Sequence, residues 1–323
     1  MSELSNTGRK TTFFYNAERF SIRSGWRILI FLLISGLCIG IFSLLAKGII
    51  EYFPFLKVNA FFMFIVYAGL SLSTFVMLKF VDERPFNSVG LTFKAPGGKD
   101  LLLGTGLGFG MMTIIFAAEY SAGWVVIEYR NLSTAEILGI AGNSFLLYVI
   151  VGYGEELLFR GYILQALAEG TNKITAVIIF SVIFGFMHSG NPNVTIFAIV
   201  NIILAGVWLS IAYFKTQALW LPIGLHFGWN FTQGFIYSFP VSGTTSFNEQ
   251  IGTAIVSGPE WLTGGNFGPE GGAMATIVIL GGSFFLWYGA FIKANAGLWN
   301  VNDWIAERRR GIESSIQTQE HSL

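Results

Sequence analysis

The sequence predicts an all-α fold, a polytopic bundle of about eight transmembrane helices with both termini cytoplasmic. Three observations predict it. Hydrophobic residues make up 53% of the 323-residue chain and charged residues only 12%, with a mean hydropathy of +0.60, whereas an average soluble domain is roughly a quarter charged. The apolar residues fall in long runs, each near the roughly 20 residues that cross about 30 Å of hydrocarbon. The basic residues gather on one side of those runs.

The first uncharged run lies between Arg27 and Lys47, the second between Lys57 and Lys79, and the third between Asp100 and Glu119. The fourth starts after Glu136 and reaches Glu155. From Ile174 to Phe214 the chain is again uncharged, and the turn cluster Ser189-Gly190-Asn191-Pro192-Asn193 divides that stretch into two helices. The seventh run covers about Ala218 to Tyr237, and the eighth lies between Glu270 and Lys293. The chain divides accordingly. Residues 1–27 form a cytoplasmic N-terminal segment, 28–135 the N-terminal transmembrane helices and loops, and 136–237 the core that carries the polar motifs. Residues 238–272 read as an external, mobile loop, rich in Gly, Ser and Thr and without Lys or Arg. Residues 273–293 are the last transmembrane helix and 294–323 a cytoplasmic tail, with an interfacial helix near Trp299 and Trp304.

With the N-terminus cytoplasmic, sixteen of the nineteen Lys and Arg residues fall on that side, Arg160 among them. Only Lys47, Lys57 and Arg130 fall on the other. This is the pattern of a multi-pass protein of the cell membrane. Zero net charge gives no basic surplus for nucleic acid. The single cysteine, Cys38, excludes a disulfide within the chain and a cysteine metal cluster. The first 27 residues are polar and basic, unlike a cleavable signal. Gly104-Thr105-Gly106-Leu107-Gly108-Phe109-Gly110 does not match G-x-G-x-x-G and sits inside a span, where small residues four apart let helix backbones approach.

Ionisable groups inside a span cost at least about 2.5–3.5 kcal/mol each near its centre, so they need a reason. His188 and His226 fall in spans, while His321 is in the tail. Glu155, Glu156 and Arg160 sit in the fourth helix, whose pattern continues to Gly170. Glu155 lies fifteen residues before Gly170, His188 fifteen after Lys173, and Asn230 fifteen after Lys215. At 1.5 Å per residue each sits roughly 22 Å from the same side of the membrane. His226 and Asn230 share a helix face, and Glu156 can pair with Arg160. Adjacent residues point about 100° apart, which leaves Glu155 free to face a cavity. The residues alone also fit interhelical glue or an ion pathway.

Glu155-Glu156-x-x-x-Arg160, Phe184-x-x-x-His188 and His226-x-x-x-Asn230 resemble, in order, the three motifs of the CAAX prenyl protease and bacteriocin-processing (CPBP, or Abi) family of intramembrane proteases. The segment Asp82 to Leu91 resembles a loop these proteins carry before their core. The resemblance implies an intramembrane endopeptidase acting on a peptide or membrane-protein substrate within the lipid bilayer. It implies that Glu155 and His188 activate water and that His226 and Asn230 stabilise the oxyanion, with Glu156, Arg160 and Phe184 in support. It leaves open zinc held by Glu155, His188 and His226, or a metal-free site. There is no H-E-x-x-H pair and no G-x-S-x-G elbow, and Asp is nearly absent from the spans. The competing readings are a non-proteolytic bacteriocin immunity or scaffold protein, and an ion or proton transporter. The sequence does not specify the substrate or the oligomeric state.

Overall fold

The structure is a computed structural model and describes residues 12–16, 21–56, 58–92, 97–245, 250–290 and 292–294. The interfacial helix expected near Trp299 and Trp304 lies outside the described residues, as do Lys57, Lys94 and the basic positions 9, 10, 19 and 308–310.

The main elements are α1 (Ser24–Tyr52), α2 (Asn59–Val76), α3 (Gly97–Ser121), α4 (Thr134–Glu156), α5 (Ile163–Gly170), α6 (Lys173–Met187), α7 (Ile196–Thr216), α8 (Trp220–Phe231), a short α9 (Glu260–Thr263) and α10 (Ala273–Tyr288). A five-residue π segment, Met77–Val81, prolongs α2, and another, Thr232–Ile236, prolongs α8. The π segment Leu157–Tyr162 joins α4 to α5 into one continuous 37-residue helix, Thr134–Gly170. Caps fix the starts. At α4 the Ser133 hydroxyl accepts from the Glu136 amide, and the Glu136 carboxylate accepts from the Ser133 amide. Asn172 caps α6 and Thr195 caps α7 in the same sense.

Five of these helices are long and apolar enough to cross a membrane: Ser24–Tyr52, Asn59–Val81, Gly97–Ser121, Thr134–Gly170 and Ile196–Thr216. α6 and α10 are shorter apolar helices. The protein is thus an integral membrane protein with an all-α bundle. Two small antiparallel ribbons accompany it, β1 (Tyr15–Asn16) with β2 (Ser21–Ile22) and β3 (Val125–Tyr129) with β4 (Gly252–Val256).

Successive passes through the bundle alternate between two ends. At one end, the Arg27 guanidinium binds Asp82 at 2.7 Å and Glu169 at 2.6 Å, and Arg84 binds Glu169 at 2.8 Å. This ties the start of α1, the α2–α3 loop and the end of α5 together. The amide of Leu219 donates to Gly90 at 3.0 Å and joins the α7–α8 turn to the same end. Gly90 adopts φ 93 there, and a side chain would meet the backbone of Ala218 and Leu219. The β3–β4 ribbon marks the opposite end.

The glycine string in α3 works as expected. A Cβ at Gly104 or Gly108 would overlap the carbonyl of Leu221 or Leu225 in α8, and one at Gly224 or Gly228 would overlap the carbonyls of Leu101 and Thr105. The two backbones touch without side chains between them. Gly104→Ala is expected to cost about 1–3 kcal/mol by overpacking, read as a lower unfolding midpoint in detergent.

α1 begins at Ser24, so Arg27 lies inside the helix, buried between carboxylates of α5 and the α2–α3 loop. Two expectations need correction. Arg160, counted among the cytoplasmic charges, is buried in the helix interior beside Glu156. The 238–272 segment is no mobile loop over its described residues. It folds back on the bundle, with β4 paired to β3 and Phe267 in the core.

Candidate active site

A cavity of about 500 Å³ opens between α2, α4, α6, α7 and α8. Glu155, His188, His226 and Asn230 all line it. Two of them sit at the end of an α segment. Glu155 is the penultimate residue of α4, just before the π turn, and His188 caps the C-terminus of α6. His226 and Asn230 lie one turn apart on α8.

The two adjacent carboxylates have separate surroundings. Glu156 is fully buried, and its Oε1 accepts from Arg160 Nη1 at 2.9 Å and from His226 Nδ1 at 2.9 Å. Arg160 Nη2 donates to the carbonyl of Gly206 on α7 at 3.1 Å. The widened π turn carries Arg160 over this anchor, and such turns recur at functional sites. Glu155 turns the other way. Its Oε1 lies 3.5 Å from the Tyr67 hydroxyl on α2, its Oε2 lies 3.8 Å from His226 Nε2, and Oε2 has no hydrogen-bond partner among the described residues.

The Phe184-x-x-x-His188 spacing has a physical basis. His188 Nδ1 lies 2.7 Å from the Phe184 carbonyl, which only accepts, so Nδ1 donates this hydrogen bond. The Phe184 ring packs edge-on against His188 at 4.9 Å and lies 4.7 Å from the Arg160 guanidinium. One side chain thus holds the second motif against the first.

Among the described residues no three His, Cys, Asp or Glu side chains are gathered to hold a metal ion. The set Glu155, His188 and His226 does not form a ready metal centre, and no step below runs through one.

Several lining residues carry no sequence signal. Tyr67 comes from α2, Asn191 from the α6–α7 turn, Asn201 and Trp208 from α7, and Ser242 and Glu270 from the 238–272 segment. Glu270 accepts from the amide and hydroxyl of Ser242 and from Gln233 Nε2 at 3.2 Å. Asn191 donates to the Ser242 carbonyl at 2.8 Å, and Asn201 to the carbonyls of Glu270 and Gly272. These bonds hold the segment against the rim of the cavity. No motif marks them, because each joins residues far apart in sequence.

Residues 137–232 match the family described as type II CAAX prenyl endopeptidase Rce1-like, over the stretch that holds all three motifs. The resemblance read from the motifs is borne out for that segment. The chain is 30% identical over 101 residues to a Bacillus subtilis (strain 168) protein named "Putative membrane peptidase YdiL", covering 31% of this chain and 38% of that one. It is 22% identical over 177 residues to "Uncharacterized protein YyaK" of the same organism, covering 52% and 58%. It is 35% identical over 95 residues to "UPF0177 protein YxdF" of Lactococcus lactis subsp. lactis (strain IL1403), covering 25% and 52%. The matches thus span between 38% and 58% of the length of these relatives. No solved structure matches the chain.

Proposed function

We propose that the protein is a multi-pass endopeptidase of the cell membrane that cleaves a peptide or membrane-protein substrate with water activated by Glu155. The observation that carries this is the split between the two carboxylates. Glu156 is fully buried and binds Arg160 and His226, while Glu155 lines the cavity, is partly exposed, and has His226 only at 3.8 Å.

In this reading a water lies between Glu155 and the lone pair of His188 Nε2. Glu155 takes one proton from it, and the oxygen attacks the peptide carbonyl. The oxyanion forms against Asn230 Nδ2 and His226, the latter protonated on both ring nitrogens. Glu156 holds His226 through Nδ1 and so fixes which way Nε2 points. Collapse of the adduct breaks the C–N bond, and Glu155 returns its proton to the leaving amine. The buried wall of Leu147, Trp208, Leu209 and Trp229 keeps bulk water out.

The relative named as a membrane peptidase and the family match support a protease. The test compares membranes containing wild type or Glu155→Ala and maps new protein termini by mass spectrometry. The expected result is a set of termini present with wild type and missing with the variant. Identical termini in both would remove the proposal.

A further inference from the structure

We infer that the cavity receives its substrate from the outer face of the membrane, so that the peptide cleaved is an exported peptide or the outer flank of a membrane protein. This rests on the proteolytic reading and adds the compartment in which the scissile bond is presented.

The lining of the cavity runs from the middle of the bundle to one end. Asn59 is the first residue of α2, Asn191 lies in the α6–α7 turn, and Val241, Ser242, Thr244 and Glu270 belong to the segment between α8 and α10. Asn59 and Thr244 are exposed, so the cavity reaches the surface there. The opposite end is closed. No residue of the 82–92 loop, the α5–α6 turn or the α7–α8 turn lines the cavity. Buried Val89, Tyr162, Leu164 and Leu219 fill that end, beside the Arg27, Asp82, Arg84 and Glu169 cluster.

Charge says which end is which. Among the described residues, Arg23, Lys79, Lys99, Lys173, Lys215 and Lys293 stand at the closed end, along with buried Arg27 and Arg84. Lys47 and Arg130 stand at the open end. Connections rich in Lys and Arg stay in the cytoplasm, so the open end faces out. The carboxylates on the lining are Glu155 and Glu270. Among the described residues, no Lys or Arg lines the cavity to receive the free C-terminal carboxylate of a cytoplasmic protein. An internal bond of an externally presented segment needs no such partner.

The test is thiol labelling of the full chain in intact cells, in a Cys38→Ser background. Thr244→Cys places a thiol at the mouth of the cavity, and Lys173→Cys places one at the closed end. A membrane-impermeant maleimide is expected to label Thr244→Cys in intact cells and Lys173→Cys only after permeabilisation. Asn59→Cys serves as a second probe of the mouth should Thr244→Cys fail to accumulate. Labelling of Lys173→Cys in intact cells, with the mouth positions protected until permeabilisation, would overturn the inference. The labelling needs no cleavage and is repeated with Glu155→Ala. A failed protease reading therefore leaves this result standing, and a reversed labelling pattern leaves the protease reading standing.

Discussion

Glu155→Gln is expected to lower kcat/KM by about 10²–10⁴-fold while the unfolding midpoint in detergent stays that of wild type. Glutamine has the same shape but no basic oxygen, so the exchange removes proton abstraction alone. Little structure depends on the charge. One oxygen of Glu155 makes no hydrogen bond and lies 3.8 Å from His226 Nε2, and the other has a single long contact to Tyr67. A conformation held by Glu155 would instead show as a lower midpoint. Steady-state cleavage of a peptide identified by terminus mapping, set beside thermal unfolding, separates the two. Activity near that of wild type in Glu155→Gln would end the role given to this carboxylate.

The neighbouring residue should behave in the opposite way. Arg160→Met leaves buried Glu156 with His226 as its remaining partner, and breaking a buried pair costs about 3–5 kcal/mol. The variant is expected to accumulate poorly and to unfold early. Glu156→Gln should be impaired by a similar amount, since it leaves Arg160 uncompensated. The double variant Glu156→Gln, Arg160→Met removes both charges and should recover much of the stability, as replaced buried pairs do. It should not recover activity, because His226 has lost the carboxylate that orients its ring. Recovery of both together would reduce Glu156 to a structural residue.

The contrast between Glu155 and Glu156 was legible in the sequence because it needs only helix geometry. Adjacent residues diverge by about 100° and a partner four residues on can satisfy one of them. The common depth of Glu155, His188 and Asn230 was legible for the same reason, since turns at one end set a shared origin for counting. Tyr67, Asn191 and Glu270 were not legible. Their places follow from which helices pack side by side and from how the 238–272 segment folds back, and neither is written in local spacing. That segment misled because its glycines suggest mobility. Gly264 and Gly268, at φ 83 and 96, instead allow the tight turns that bring Phe267 into the core and Glu270 to Ser242. Arg160, counted with the loop charges, misled because loop charge and buried charge look alike until their partners are known.

The pairing of Arg27 with Glu169 has a consequence for biogenesis. The two lie 142 positions apart, so the guanidinium emerges from the ribosome long before its carboxylate. Asp82 arrives earlier, 55 positions on, and gives the first helix a provisional partner. Until the fifth helix is made, α1 and α2 must wait in the bilayer as a half-finished hairpin, with one arm of that arginine unanswered. Final docking is then a late step that depends on finishing the catalytic core, which makes a truncated chain a natural client of membrane quality control.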